Sequence, residues 1–247
     1  MTPRPLAALL LLASAGCAAL PADQLGSVEP RHRLPVEDGR ERAVVEVWDP
    51  WEGFNRGVYA FNAELDERIL LPVADAYRTN VPDVVRDRVR NFFDNLGEIR
   101  NAANGLLQAR PEVASRAVIR FAVNSTIGIF GLFDVAGAAG LQEQDEDFGQ
   151  TLGWWGVPPG PFLVLPVLGP SNLRDAVGLA VDTAASRTVS PAAEVNELAY
   201  PNPAVYGLEV VDTRANIEFR YYDSGSAFEY DVVRFLAGKQ RELAIRR

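Results

Sequence analysis

The sequence has very few of the side chains on which most catalytic and metal sites depend. Its 247 residues include one histidine, one cysteine and one methionine. His32 lies in a proline- and charge-rich stretch near the N-terminus, so the rest of the chain offers no histidine for a Ser-His-Asp triad, a Cys-His pair or a His-ligated metal. No Walker loop or dinucleotide fingerprint occurs. We expect no catalytic residue, metal or cofactor, although a carboxylate pair or a Ser-Lys arrangement stays open.

Positive charge and long apolar runs are also scarce. Lys and Arg number 24 against 33 Asp and Glu, a formal net charge of -9. This balance argues against binding of nucleic acid and leaves no broad basic face for an anionic lipid surface. Beyond the first residues, no stretch reaches 18 uninterrupted apolar residues, so the sequence predicts no transmembrane helix.

The first residues, "MTPRPLAALLLLASAGC", have the pattern of a secretory signal. Arg4 precedes a short apolar run and then small residues, which predicts a cleaved signal over residues 1–16. The ending "SAGC" resembles a bacterial lipobox, with Ser14 where a leucine is usual, and predicts lipid attachment at Cys17. A lone thiol at this junction fits an acyl attachment point better than a disulfide. An ordinary cleaved signal with an incidental cysteine is the alternative.

Residues 17–46 predict a flexible tether rather than a domain, because Pro, Arg and acidic residues dominate and periodicity is weak. Ala18 follows the candidate lipidated cysteine, and the absence of an aspartate there favours the outer membrane. Residues 47–247 are expected to form one domain.

Helical periodicity dominates this domain, and we predict a mainly α fold. "DPWEGFNRGVYAFNAELDERIL" begins with Asp49 as a candidate N-cap. Two further amphipathic helices follow, near residues 81–99 and 110–125. Their expected buried faces consist of Val85, Val89, Phe92, Phe93 and Leu96 in the first, and Ala114, Ala117, Val118, Phe121 and Ala122 in the second.

Two apolar segments interrupt this pattern. "STIGIFGLFDVAGAAGL" over Ser125–Leu141 is rich in glycine, and predicts either a buried helix pair at a tight crossing or a segment against lipid. "GWWGVPPGPFLVLPVLGPSNLRD" over Gly153–Asp175 predicts either one short hairpin or an irregular Pro/Gly loop, with Ser171 capping the next helix. Between them, the carboxylates of "QEQDEDFGQ" do not fit a calcium loop, and a solvated acidic loop is expected.

Three stretches together resemble the MlaA (VacJ) family of outer-membrane lipoproteins. They are "DPWEGFNRGVYAFN" over Asp49–Asn62, "RFAVNSTIGIFGLFDVA" over Arg120–Ala136 and "DFGQTLGWWGVPPGPFLVLPVLGPSNLRD" over Asp147–Asp175. The third is the most specific, and the resemblance covers about residues 47–235.

The resemblance implies a ring of amphipathic helices in the inner leaflet of a Gram-negative outer membrane, held by a lipid anchor and associated with a trimeric porin. It implies an amphipathic channel that removes mislocalised phospholipid from the outer leaflet and passes it to the periplasmic carrier MlaC, so that lipid asymmetry is maintained. Moving a lipid in this way requires a sheltered path for the tails and a wet path for the headgroup, and no covalent chemistry.

We expect Gly153–Leu168 to help form the passage or its mouth. Trp154, Trp155 and Phe162 suit an interfacial zone, with a role as core anchors as the alternative. Arg174 could meet a phosphate or pair with a carboxylate such as Asp175. Two other functions stay open, an envelope phospholipase or acyltransferase and a structural lipoprotein that braces a porin.

Overall fold

A computed structural model describes residues 47–189, 202–223, 225–226 and 228–246. The predicted signal, Cys17 and the tether therefore lie outside the described residues. The predicted mainly α class is confirmed, and a single small hairpin accompanies the helices of the described part. None of these helices combines the length and the apolar character needed to cross a membrane.

Helices and one hairpin follow one another along the described residues. Helix α1 (Glu52–Leu65) continues through a π-helical turn (Asp66–Leu70) into α2 (Leu71–Asn80). The next four helices are α3 (Asp83–Leu107), α4 (Pro111–Thr126), the short α5 (Val135–Ala138) and α6 (Phe148–Trp154). Strands β1 (Phe162–Leu165) and β2 (Gly169–Asn172) then precede α7 (Leu173–Val189), α8 (Pro203–Ala215) and α9 (Glu229–Arg246).

The hairpin confirms one of the two predictions for the proline-rich segment. Its strands pair antiparallel, with Phe162 opposite Asn172 and Leu165 opposite Gly169. No third strand joins the two among the described residues, so Pro170 can occupy β2 without breaking a central ladder. The short apolar run thus forms a hairpin that lies on α1 and α7.

Small residues allow the helices to approach one another closely. At the crossing of α3 and α4, a Cβ atom on Gly105 would come within 2.8 Å of the backbone nitrogen of Ala114. Where α6 meets α7, a Cβ atom on Gly178 would lie 2.3 Å from the backbone nitrogen of Gly149. Both contacts are therefore made by backbone against backbone, as is common where helices pack inside membranes.

The buried faces of α3 and α4 are not the predicted ones. Helix α3 buries Asn95, Glu98, Asn101, Asn104 and Gly105, and its predicted core residue Val85 is 48% exposed. In α4 the predicted Ala114 and Ala117 are buried, but they are joined by Val113, Arg120 and Asn124, while Val118 is 55% exposed. The helices are amphipathic as predicted, but α3 turns its polar side inward.

The apolar core is small and aromatic. Tyr59, Phe162, Val164 and Tyr230 are buried together, and the rings of Phe162 and Tyr230 meet edge to face at 6.1 Å. Two asparagines on α1 attach the hairpin to this core. The amide of Asn55 donates to the Phe162 carbonyl at 3.0 Å and accepts from the Val164 N–H at 2.9 Å. Strand β1 therefore has side-chain partners on α1.

Two predicted helix caps are wrong. Helix α1 begins after Trp51, and the Asp49 carboxylate instead accepts from Asn55 and from the Tyr230 hydroxyl, at 2.7 and 2.6 Å. At the start of α7 the capping oxygen belongs to Asn172 rather than Ser171, since the Asp175 N–H donates to the Asn172 side chain at 3.0 Å. Asp49 therefore binds Asn55 and Tyr230 instead of capping α1.

Candidate functional site

The described interior is unusually polar. Its buried side chains include 18 polar or charged residues and 11 apolar or aromatic ones, and 35 large apolar or aromatic residues are exposed. Soluble domains usually bury most of their large apolar side chains and leave charged ones in water. The described part departs from this pattern, because its interior holds many polar and charged side chains and its exterior presents apolar ones.

A buried ion pair joins α3 to α4. Arg120 contacts Glu98, and the two side chains are 3% and 1% exposed. The same guanidinium donates to the Leu141 carbonyl at 2.5 Å and lies 3.3 Å from Asp134. Burial alone would lower the pKa of Arg120, but hydrogen bonding to Glu98 and the nearby carboxylates raise it. Arg120 therefore stays charged and joins three elements.

The segment before α6 contributes to a second buried network: the predicted solvated acidic loop is confirmed for Glu143 and Asp145, which are exposed, and is wrong for Glu146. Glu146 is 3% exposed, and its carboxylate accepts from Arg110 at 3.0 Å and from Gln108 at 2.9 Å. The Thr151 hydroxyl donates to Asn104 on α3 at 2.8 Å. Among the described residues, no group of three or more His, Cys, Asp or Glu side chains could hold a metal ion.

A third network attaches α9 to α6 and α7. Arg241 donates to both carboxylate oxygens of Asp147, and its Nε lies 2.8 Å from Asp175. Asp147 also caps α6, since its carboxylate accepts from the Gln150 N–H at 2.8 Å. Burial would raise the pKa of Asp147, but hydrogen bonds from Arg241 and Gln150 lower it overall. The C-terminal helix is thus fixed near the hairpin by charge.

The exterior of the α3–α4 pair carries the apolar side chains that the interior lacks. We call residues 127–133 the apolar loop. Ile127, Ile129 and Phe130 in this loop are 69%, 55% and 78% exposed. The segment forms successive turns after α4, so the predicted buried helix pair is wrong. The other alternative, a segment against lipid, agrees with this exposure.

The two tryptophans lie together at the end of α6, beside the other end of α3. Trp154 is 47% and Trp155 53% exposed. The indole N–H of Trp155 donates to the Leu107 carbonyl at 3.0 Å, and the Trp154 ring lies 5.4 Å from the Arg110 guanidinium. Each ring is therefore half in contact with the fold and half outside it. Their contact with lipid stays a prediction.

The other two candidate residues do not reach the outer surface. The Phe162 ring is 3% exposed and belongs to the aromatic core. Arg174 is 8% exposed; its Nε donates to Asp175 at 2.8 Å and its Nη1 to the Val157 carbonyl at 3.3 Å. Both residues therefore support the hairpin region, and for Arg174 the structure has the carboxylate pairing that was the alternative.

A groove lies between the hairpin turn and α7. The groove is open to the surface, and its volume is about 410 Å³. The lining is apolar except for one hydroxyl and consists of Leu165, Leu168, Ala176, Leu179, Ala180, Thr183 and Ala184. The proline-rich segment thus contributes to a concave apolar surface as well as to the core.

Sequence reasoning missed the residue that holds the hairpin turn. Asn62 is 3% exposed; its amide donates to the Leu165 carbonyl at 2.9 Å and accepts from the Val167 N–H at 2.8 Å. Val167 has φ 71°, an uncommon backbone conformation for a β-branched residue. The signal was in the sequence, because "FN" occurs twice, seven residues apart, at Asn55 and Asn62.

The fold and these surfaces define a helical protein packed as membrane proteins are, with small residues and polar bonds between helices and apolar side chains outside. The sequence model of the MlaA lipoprotein family matches residues 47–244, and the chain belongs to this family.

Named relatives and a solved structure agree with this membership. The intermembrane phospholipid transport system lipoprotein MlaA of Escherichia coli is 42% identical over 134 residues, which cover 53% of each chain. An uncharacterized protein of Rickettsia felis is 47% identical over 135 residues, 55% of this chain and 54% of that protein. The chain thus spans about half the length of the curated relatives it matches.

The structural comparison extends further along the chain. A structure solved for the "Structural basis for maintenance of bacterial outer membrane lipid asymmetry" has a TM-score of 0.66 and 34% identity to this protein. The match covers 80% of this chain and 98% of the solved one. The similarity of fold therefore extends well beyond the half of the chain that the curated relatives match.

Proposed function

We propose that this protein transports phospholipid at the bacterial outer membrane: it removes mislocalised phospholipid from the outer leaflet and so maintains lipid asymmetry. The observation that carries the proposal is the inverted burial, with 18 buried polar or charged residues against 35 exposed large apolar or aromatic ones. Family membership and the printed names of the relatives give the substrate class and the membrane.

The polar interior and apolar exterior suit a protein that lies within a leaflet. Acyl chains can solvate exposed Ile, Leu and Phe without the free-energy cost that water imposes, about 25 cal/mol per Å² of apolar surface. Acyl chains cannot satisfy a charged side chain, so ion pairs such as Arg120–Glu98 turn inward. We propose that these amphipathic helices lie along the leaflet, with their apolar side chains towards the acyl chains.

The groove beside the hairpin is our candidate for part of the lipid passage. Leu165, Leu168 and Leu179 can shelter an acyl chain, and the Thr183 hydroxyl supplies a polar group at the same wall. Trp154 and Trp155 would lie at the membrane–water interface, where aromatic rings with a polar N–H are favoured. The passage needs no bond to be made or broken, so we propose transport rather than catalysis.

The remaining parts of the proposal rest on the family. Cys17 would carry the lipid anchor, and residues 17–46 would link it to the helical domain, on the periplasmic-side leaflet of the outer membrane. A trimeric porin would hold the protein in place, and the carrier MlaC would receive the phospholipid. Domain boundaries at residues 1–16, 17–46 and 47–247 belong to the same proposal.

The proposal is tested in a strain from which the gene has been deleted, by measuring phospholipid in the outer leaflet. Wild type should restore the low level, and Ala180→Phe should not, because the added ring fills the groove. Val181→Phe is the matched control: it adds an aromatic ring at the next position of α7, outside the groove lining. Protein abundance is measured for each variant.

The outcomes separate the function from the site. If wild type leaves outer-leaflet phospholipid unchanged, the transport proposal is wrong. If Ala180→Phe restores the low level as well as Val181→Phe does, the function stands and the groove is not on the path. Release of fatty acid or lysolipid by the purified protein would indicate an enzyme instead.

A further inference from the structure

The apolar loop contains strained backbone positions, and the side chains at these positions are exposed. Ile129 and Phe130 have φ 54° and 57°, in the left-handed region that bulky and β-branched residues rarely occupy. Bonds at its ends hold this conformation: the Gly131 N–H donates to the Asn124 carbonyl at 2.8 Å, and the Phe133 N–H to the Gly128 carbonyl at 2.9 Å. Strain of this kind is often retained at functional positions. The result here is a rigid apolar projection.

One arginine lies at the edge of this projection. The Arg88 guanidinium on α3 is 4.2 Å from the centre of the Phe133 ring, and its Nη1 lies 3.5 Å from the Leu132 carbonyl. Asn91, one turn further along α3, donates to the same carbonyl at 3.1 Å. The cation is therefore placed by an aromatic face and fixed relative to the loop.

Arg88 differs from its neighbours in its charge balance. Arg86 and Arg90 on either side pair with Asp83 and Asp87. Arg88 has no carboxylate within 4.0 Å among the residues that the structure describes. Acidic residues outnumber basic ones in this chain, whose net charge is -9, yet Arg88 has none of them as a partner. A cation in this position, beside an exposed apolar loop, points to an anion from outside the chain.

The chemistry of this position selects the anion. If the apolar loop enters the acyl region, the base of the loop lies at the depth of the phosphates. A guanidinium has five N–H donors in a planar fork that matches two phosphate oxygens. The Phe133 ring contacts the guanidinium without using its N–H donors, and among the described residues only Nη1 has a hydrogen-bond partner, the Leu132 carbonyl.

We propose that Arg88 binds the phosphate of phospholipids in the surrounding leaflet and thereby fixes the depth of the apolar loop. The inference rests on the proposed function in so far as the protein must lie in a leaflet. It adds a binding site for boundary phospholipid at Arg88, which is not among the residues that line the groove proposed as the passage. The bound species is a phosphodiester of the membrane, not a transported lipid.

The test uses the full chain with Cys17→Ser and Ile129→Cys, so that one thiol carries a polarity-sensitive fluorophore in the loop. The protein is diluted from detergent into vesicles of phosphatidylethanolamine and phosphatidylglycerol, and partition is measured by fluorescence and flotation. Arg88→Gln should weaken partition about fivefold, the effect of one basic residue near an anionic surface. Arg88→Lys should restore only part, because an ammonium cannot form the bidentate contact.

Arg116→Gln is the matched control, since it makes the same charge change at a helix position with no carboxylate partner in the described ion pairs. The site is refuted if Arg88→Gln binds as wild type does, or if Arg116→Gln weakens partition equally. A fluorescence response of the labelled loop to inorganic phosphate, in the absence of vesicles, would also overturn a membrane source for the anion.

A further variant separates this inference from the proposed function. Phe130→Ser should weaken partition whether or not Arg88 binds phosphate, because the ring is 78% exposed in the loop. If Phe130→Ser weakens binding and Arg88→Gln does not, the phosphate site fails and the leaflet location stands. If wild type does not bind vesicles, the leaflet location fails too.

Discussion

Replacing Arg120 by Met is the sharpest test of the polar interior. Arg120 and Glu98 are 3% and 1% exposed, so neither charge has water as an alternative partner. The substitution leaves a buried carboxylate whose remaining described donor is Asn101, at 3.3 Å. It also removes the donor of the Leu141 carbonyl. Breaking a buried pair on one side typically costs about 3–5 kcal/mol of the free energy of unfolding.

The double variant Glu98→Leu/Arg120→Met should recover part of this loss. It removes both charges together, which is often neutral or stabilising. It also leaves the Leu141 carbonyl without its Arg120 donor, the Asn101 amide without its Glu98 acceptor and Asp134 without its contact to Arg120, and each unsatisfied buried group costs about 1–3 kcal/mol. We therefore expect the double variant to be more stable than Arg120→Met alone. The exposed pair Arg68–Glu64 is the control, and Arg68→Met should cost less than about 1 kcal/mol.

The assay is urea unfolding of the protein in detergent, followed by circular dichroism. The free energies of unfolding are compared between variants for which this free energy has the same dependence on urea concentration. A loss below about 1 kcal/mol for Arg120→Met would mean that water reaches the pair. The two charges would then not be buried, contrary to the argument from their low exposure. Additive effects of the two substitutions would show that Glu98 and Arg120 are not coupled.

Two further predictions concern single groups. Burial raises the pKa of Glu143 to about 7; stability from this group is therefore full below its unfolded value near 4.5 and is lost as pH rises through about 7. Glu143→Gln should flatten that decline in urea midpoints and stabilise the protein at about pH 8, by only about 1 kcal/mol because the side chain is partly exposed; a decline that persists unchanged would assign it to other groups. Asn62→Ala leaves the Val167 N–H without its acceptor and removes one donor of the Leu165 carbonyl, so it should cost about 1–3 kcal/mol, whereas Asn80→Ala, on the exposed end of α2, should cost much less. Equal unfolding free energies for the two variants would contradict the role of Asn62 in the hairpin turn.

The sequence predicted the class of the fold and the position of most helices, because periodicity and proline positions depend on local chemistry. Pro111 begins α4, and the segment that was too broken for a helix forms the hairpin at Phe162–Asn172. The direction of the helix faces was wrong for α3. An amphipathic helix has the same period whichever face is buried, and the medium around the protein decides which one turns inward.

Long-range partners explain the other errors. Asp49 has the spacing of a helix cap, yet Tyr230 and Arg234, more than a hundred residues away, bind its carboxylate. Glu146 belongs to an acidic run that looks solvated, yet it meets Arg110 in the interior. No local window contains these partners. The tryptophans were predicted at an interface and are half exposed, but whether lipid covers them depends on molecules outside the chain.

The polar residues of α3 carried information that a search for apolar stripes discards. Asn95, Glu98, Asn101 and Asn104 recur every three residues and form a stripe of their own, which lies inside. A protein with such an interior satisfies its buried charges within the fold, so a transfer from water to lipid leaves these ion pairs and hydrogen bonds unchanged. The same transfer removes the free-energy cost of exposing apolar side chains to water. A soluble domain is adapted to water, whereas this protein should be more stable in detergent or lipid than in water. Detergent or lipid should raise the unfolding free energy, because the apolar loop and its neighbours gain a favourable solvent.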